Sequence, residues 1–262
     1  MSKEHKLYID ILKANKFKVK ITQSLILIFF FALWEAAAVL RWIDPFIFSQ
    51  PSRMFLSFVN MLGDGSLFKH IGITLGETVL GFLLSTALGS LISVVLWWNS
   101  FLRKVLNPYL VVLNSLPKTA LAPIIIVWVG NNINSVIVTA LMTSIIVTII
   151  SVLTGFLEVD SDKAKLIQTL GGGKRDILTK VILPASVPTL ISALKINVGL
   201  SFVGVMVGEF LVAQAGLGYL IMYGSQVFKM DWVMLSILIL CILAGLMYQL
   251  VVFIEKKLGY SL

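Results

Sequence analysis

The sequence predicts an all-α integral membrane protein, and three observations carry that prediction. Apolar residues fill 58% of the 262 positions and charged residues 13%, where an ordinary soluble domain holds about 25% charge, and the mean hydropathy is +0.96. Apolar stretches of roughly 20 residues, each long enough to cross about 30 Å of hydrocarbon, alternate with short polar connections. One long hydrophilic interruption, EVDSDKAKLIQTLGGGKRDILTKVILPASVP from Glu158 to Pro188, must lie in water. This composition excludes a water-soluble enzyme. The net charge of +8 sits in the connections between apolar runs, a pattern set by membrane topogenesis rather than by nucleic acid.

The elements follow in order. Residues 1–20, with Lys3, Lys6, Lys13, Lys16, Lys18 and Lys20 against Glu4 and Asp10, form a cytosolic basic arm. Residues 21–40 are the first span, too long for a signal peptide and without a small-residue cleavage site. From Trp42 to Ile71 the chain lies on the outer face, with an Asp44-Pro45 pair, a Ser49-Gln50-Pro51-Ser52 turn and an amphipathic helix over Arg53 to Leu62. Residues 72–98 make the second span, in which Gly81, Ser85, Gly89 and Ser93 recur every four residues, giving a strip along which another helix backbone can approach.

Arg103 and Lys104 return the chain to the cytosol, and residues 106–130 form a third span interrupted by Pro117 and Pro123. Such a span is not one straight helix; broken helices persist in a bilayer where they line a cavity or meet other protein. An uncharged turn from Asn131 to Ser135 leads to a fourth span, 136–156. The hydrophilic loop 157–188 follows, then a fifth span over 189–212, an outer connection from Ala213 to Asp231, and a sixth span over 232–254 closed by Lys256 and Lys257. With the N-terminus inside, fifteen Lys and Arg fall on the cytosolic side and four outside. That asymmetry places both termini and the loop in the cytosol, as an even number of spans requires.

Within the loop, Leu166 and Leu170, beside Ile167, lie one helical turn apart, and after three glycines the pairs Ile177/Val181 and Leu178/Ile182 repeat that spacing. The pattern predicts two short amphipathic helices joined by a glycine hinge. Asp160, Ser161 and Asp162 suit the first helix's N-terminus, where side-chain oxygens accept unpaired amide hydrogens. Pro184 and Pro188 mark the expected return of the chain. An apolar face in water with no span to cover it marks an interface.

Little else suggests chemistry. No nucleophile with a base stands out, so an intramembrane enzyme has no support and no catalytic residue is assigned. Gly171-Gly172-Gly173-Lys174-Arg175 lacks the phosphate-loop spacing and a preceding strand. His5 and His70 have no ligand partners in sequence, so no metal site is expected, and Cys241 stands alone as a packing residue. Gly216-x-Gly218 reads as a turn. Five ionisable residues fall in or near the spans: Glu35, Glu77, Lys118, Lys195 and Glu209. Glu35 and Glu77, toward the outer ends, are expected to reach headgroups or water, and Lys195 to snorkel to the cytosolic surface. Lys118, fifteen residues beyond Arg103, would stand about 22 Å along a straight helix, past the membrane midplane. Lys118 and Glu209 can pair structurally, contact substrate, or do each at different stages.

The loop resembles the cytoplasmic loop of bacterial ABC-importer permeases, written EAA, three residues, Gly, nine residues, Ile, one residue, Leu-Pro. Gly171, Val181, Leu183 and Pro184 stand at the Gly, Ile, Leu and Pro positions, while Lys165, Leu166 and Ile167 replace the EAA triplet. Trp34-Glu35, the turn at Pro51-Ser52 and the run Ser115-Leu116-Pro117-Lys118-Thr119-Ala120-Leu121-Ala122-Pro123 resemble the nitrate, sulfonate and taurine importer permeases, with Asn114-Ser115 where that subfamily has its first proline. The likeness extends from about Trp34 to Leu240. It implies a fold like that of type I ABC importer permeases, with Lys165, Leu166, Ile167, Leu170, Gly171, Val181 and Pro184 coupling to an ATPase. It implies a path lined near Pro117, Lys118, Pro123 and Glu209. It further implies two cytosolic ATPase subunits that hydrolyse ATP, so that this chain binds no cofactor, an extracytoplasmic binding protein, a homodimer or a dimer with a close homologue, surrounding lipid, and a place in the bacterial cytoplasmic membrane. The expected cargo is a small polar or anionic solute of the nitrate, sulfonate or taurine kind. Alternatives are another small nutrient such as a pyrimidine or vitamin precursor, or an ATP-independent channel or carrier, for which the loop would be unnecessary.

Overall fold

A computed structural model describes residues 3–257 and 259, with the side chains of residues 3–13 and 16 outside the description; the expectations for His5 and for Lys3, Lys6, Lys13 and Lys16 therefore lie outside the described residues. Among the described residues there are eleven helical segments. They are α1 (Lys3–Val39), α2 (Pro45–Phe48), α3 (Pro51–Gly63), α4 (Ser66–Trp98), α5 (Ser100–Ser115), α6 (Lys118–Val129), α7 (Ile133–Leu157), α8 (Ser161–Thr169), α9 (Lys174–Val212), α10 (Leu217–Gln226) and α11 (Met230–Lys257). Five are long and apolar enough to cross a membrane, and α5 with α6, bent by 98°, makes a sixth, broken span.

The bundle is built around α7, which packs between α4 and α9. Lipid tails are as apolar as leucine, so helices in a membrane associate through close packing of small residues rather than through hydrophobic transfer. Gly81, Ser85, Gly89 and Ser93 are all buried on α4, as their spacing predicts. A Cβ added at Gly81 would stand 2.6 Å from that of Ala140, and one at Gly89 2.7 Å from that of Thr148. A second strip escaped the sequence reading: Gly204 and Gly208 of α9, again four apart, lie against Ala140 and Val136. Hydroxyls on α7 return their hydrogen bonds to their own helix, Thr139 to the Ser135 carbonyl, Thr143 to Thr139 and Thr148 to Ser144, so these buried polar groups need no water.

Three expectations change. The third span breaks once, at Leu116–Pro117, not at both prolines. Leu116 is extended (φ −67°, ψ 139°) because the ring of Pro117 crowds the helical conformation of the residue before it, whereas Pro123 is carried inside α6 and Pro108 inside α5. The bend voids the straight-helix depth of Lys118. The second half of the loop is not a separate short helix: α9 runs unbroken from Lys174 through Pro184 and Pro188 to Val212. A π-turn over Leu178–Ile182 makes this possible, since the wider turn moves the preceding carbonyls away from the Pro184 ring. Finally, α1 continues from Lys3 without a break, so the arm and the first span share one helix.

The remaining pieces seal one end of the bundle. Asp44 caps α2 through the Phe46 amide at 2.9 Å. Ser49 donates to Asp231 of α11 at 2.6 Å. Asp64 accepts the Ser66 amide at 2.8 Å where α4 begins, and its hydrogen bonds from the Ser66 side chain and amide hold its carboxyl below the usual range.

Candidate functional site

Two regions concentrate function, at opposite ends of the bundle. The first is α8. Its N-terminus is capped by Asp160, which accepts the Asp162 amide at 2.9 Å. Its C-terminus closes with the Gly171 amide on the Gln168 carbonyl at 2.9 Å and the Gly172 amide on the Ile167 carbonyl at 2.8 Å. That paired closure needs a left-handed residue, and Gly171 supplies φ +82° without a Cβ penalty. The glycine of the loop pattern is thus a backbone requirement.

The cap sets which face α8 presents. Ile167 and Ala164 turn inward onto a cluster formed by Val152, Phe156, Ile177, Leu178 and Ile182. Leu166 and Leu170 are left 60% and 76% exposed. Lys165 pairs with Asp162 at 2.8 Å on the solvent side, Val181 is half-buried and Pro184 is exposed. Lys174, at the start of α9, donates to the Trp98 carbonyl that ends α4 and lies 5.9 and 5.5 Å from the Trp97 and Trp98 ring centres. A cation on a helix's terminal carbonyl is favourably placed against its dipole, and it ties the α8 loop to α4. Ile167 and Lys174 thus link α8 and the start of α9 to α7 and α4.

The second region lies where α4, α9 and α10 meet. Glu209, 1% exposed, accepts Thr74 Oγ1 at 2.6 Å and the Gly218 and Tyr219 amides at 2.6 and 3.3 Å. Its carboxylate caps the N-terminus of α10, where amide hydrogens lack partners. This explains Gly216-Leu217-Gly218, which is a carboxylate cradle as well as a turn: a Cβ at Gly216 would collide with the Glu209 carboxylate, and one at Gly218 would sit 2.9 Å from Oε2. Thr74 Oγ1 also accepts the Leu217 amide at 2.7 Å, and His70 Nδ1 accepts the Gly216 amide at 2.9 Å. Glu77, 3% exposed, lies within hydrogen-bonding reach of Glu209. It does not reach headgroups or water as expected, because the α4 face that carries it packs on α9.

Glu35 and Lys195 also find partners. Glu35 accepts the Ser52 amide at 3.0 Å and its hydroxyl at 2.8 Å, capping α3. Lys195 does not snorkel; it pairs with Glu255 of α11 at 2.8 Å. Lys118, half-buried at the start of α6, forms no ion pair among the described residues, so it is not Glu209's partner. Pro117, Lys118 and Pro123 share the broken span, while Glu209 belongs to the cluster at the end of α9. The sequence reading missed Thr74, His70 and Asn197. Asn197 donates to Thr148 at 2.6 Å in the buried core, and its only sequence signal was an amide inside an apolar run.

A six-span bundle with a rigidly capped amphipathic helix outside it, and a broken span within it, defines a membrane transport component. The chain belongs to the family described as binding-protein-dependent transport system inner membrane component, which matches residues 81–258. It is an ABC-importer permease, a transport class and not an enzymatic one. It is 31% identical to the formylaminopyrimidine transport permease protein ThiX of Halalkalibacterium halodurans, over 75% of this chain and 78% of that protein. It is 23% identical to the taurine transport system permease protein TauC of Escherichia coli, over 82% and 80%. Its fold is similar to a chain of the inward-facing methionine ABC transporter MetNI, with TM-score 0.63 and 19% identity over 73% of this chain and 95% of that one.

Proposed function

We propose that α8 is the docking element for a cytosolic ATPase subunit, and that the permease works as a homodimer with both termini cytosolic in a bacterial cytoplasmic membrane surrounded by lipid. ATP is hydrolysed by the partner subunits, an extracytoplasmic binding protein delivers the solute, and no cofactor is held by this chain. The observation that carries the reading is the exposure of Leu166 and Leu170 on a helix fixed by its Asp160 and Gly171 caps. An apolar patch displayed in water by a rigid mount is a protein interface, and Lys165, Ile167, Val181 and Pro184 frame or support it. ATP-driven closure moves α8, and the bundle moves between inward-open and outward-open states as a two-state element. Pro117, Lys118 and Pro123 are assigned to the path, whereas Glu209, 1% exposed and held by Thr74 and the α10 amides, is assigned a structural role.

The cargo is a small polar or anionic solute of the nitrate, sulfonate or taurine kind. A pyrimidine nutrient is the second reading, favoured by the likeness to ThiX. Leu170→Asp tests the docking: it removes apolar contact and buries an unpaired charge on assembly. Membrane insertion should persist while ATPase copurification falls by tenfold or more, corresponding to about 1.4 kcal/mol or greater. Normal ATPase binding together with unchanged transport would sink the assignment.

A further inference from the structure

A cleft of about 360 Å³ lies between α5 and α7, at the end of the bundle where α4 gives way to α5. On α5 its lining residues Arg103, Asn107 and Leu110 stand at i, i+4 and i+7, and on α7 Ile150, Leu153 and Leu157 stand at i, i+3 and i+7, so one face of each helix is turned to the other. Seven residues of helix rise about 10 Å. The cleft therefore runs from a rim at Arg103 and Leu157 to a deeper apolar end at Leu110 and Ile150. Its walls are held by packing, because Leu153 belongs to a cluster with Leu96 and Ile149 against which Leu102, Leu106 and Leu110 lie.

The charge at the rim is open. Lys165, Lys180 and Lys195 each hold a carboxylate, whereas Arg103 and Lys104 form no ion pair among the described residues, and no Asp or Glu lines the cleft. Lys104 is exposed and Arg103 half-buried, so a ligand reaches both from outside. A free inorganic anion would use the rim alone and leave Leu110, Ile150 and Leu153 uncovered; an uncharged chain would leave the two cations without a partner. A ligand with an anionic head and a hydrocarbon tail satisfies both ends. A bilayer presents that ligand at this depth, with phosphate at the level of the basic residues and acyl chains below. The planar Arg103 guanidinium suits two phosphate oxygens and the Lys104 ammonium another, and Asn107 and Thr154, between rim and deep end, stand at the level of the glycerol esters.

We propose that this cleft binds an anionic phospholipid of the cytosolic leaflet, its phosphate held by Arg103 and Lys104 and one acyl chain lying against Leu110, Ile150 and Leu153. The bound lipid joins α5, the first half of the broken span, to α7. Only the choice of leaflet rests on the function proposed above, which puts this end of the bundle in the cytosol.

The probe is phosphatidylglycerol, mixed at increasing fraction into phosphatidylcholine nanodiscs that hold the purified permease, with thermal unfolding as readout. Tm should rise saturably, by about 3 °C at ten times the half-saturating fraction. Arg103→Gln combined with Lys104→Gln should raise that fraction roughly thirtyfold, and Lys104→Gln alone roughly fivefold. Lys256→Gln combined with Lys257→Gln removes two charges at the end of α11, outside the cleft, and should leave it unchanged. Glycerol 3-phosphate added to pure phosphatidylcholine nanodiscs separates a free anion from a lipid and should give no saturable shift. Should the double variant in the cleft lower Tm in pure phosphatidylcholine, Lys104→Gln carries the comparison, since that side chain is exposed. The proposal is overturned by the absence of a saturable rise in wild type, as when a second copy of this chain seals the cleft. It is overturned equally by a matching rise with glycerol 3-phosphate, by an unchanged half-saturating fraction in Lys104→Gln, or by an equal loss in the Lys256 and Lys257 variant. Nanodiscs present both leaflets, so an inverted topology would move the lipid to the outer leaflet without touching this measurement, and loss of ATPase docking at Leu170→Asp leaves it unaffected.

Discussion

Replacing Glu255 by Gln tests how α9 and α11 are joined. Lys195 Nζ lies 2.9 and 2.8 Å from the two Glu255 oxygens, with side chains 23% and 14% exposed. The pair is too enclosed for water to replace the missing charge fully, so the variant strands an ammonium between two helices. Breaking a buried pair costs 3–5 kcal/mol, and the residual exposure puts this one at the lower end, about 3 kcal/mol. For a chain of this size that corresponds to a fall in Tm of roughly 6–12 °C. Removing both charges with apolar residues of similar volume, Lys195→Met with Glu255→Leu, should recover most of the loss, because the cost lies in the unpaired charge rather than in the absent attraction. The assay is thermal unfolding of the purified permease followed by near-ultraviolet circular dichroism, for wild type, Glu255→Gln, the single variants Lys195→Met and Glu255→Leu, and their double variant. The expected coupling energy is about 2 kcal/mol. If the single variants leave Tm unchanged, or if their losses simply add in the double variant, Lys195 is snorkelling and the ion pair does not hold α9 to α11.

Gly218→Ala places a Cβ 2.8 Å from that of Glu209 and should cost about 2 kcal/mol through overpacking, whereas Gly63→Ala, with nothing within 4 Å, should be neutral or stabilising by about 0.5 kcal/mol; equal Tm values for the two would refute the cradle around Glu209. Lys118→Met should lower transport while Lys118→Arg retains it, and full transport with unaltered solute preference in Lys118→Met removes that residue from the path. A cysteine at Ser161 in a Cys241→Ala background should resist an impermeant thiol reagent in intact cells and react after permeabilisation; labelling in intact cells would invert the proposed topology.

The span count, the α8 helix with its glycine and the small-residue strip on α4 were all legible in the sequence. Each is a local consequence of composition or spacing. A run of apolar residues must cross lipid whatever it packs against, and Gly171 is needed by the backbone of its own helix end. What failed was where prolines and charges were read one element at a time. Pro184 looks like a stop, yet a π-turn carries α9 through it. Pro123 looks like a break, yet the bend falls at Pro117 alone. Neither outcome follows from the residue itself, since each depends on whether neighbouring helices stabilise the altered backbone.

Charges show the same division more sharply. The sequence located Glu35, Glu77, Lys118, Lys195 and Glu209 and determined that a low-dielectric environment would make each of them costly to leave alone. Only the tertiary structure decided the partners: Ser52 for Glu35, Glu255 for Lys195, and Glu77, Thr74 and the α10 amides for Glu209. Those partners are separated by 9 to 135 positions along the chain. Electrostatic energy depends on distance in space, and the close approach of α4, α7 and α9 through their glycines sets that distance.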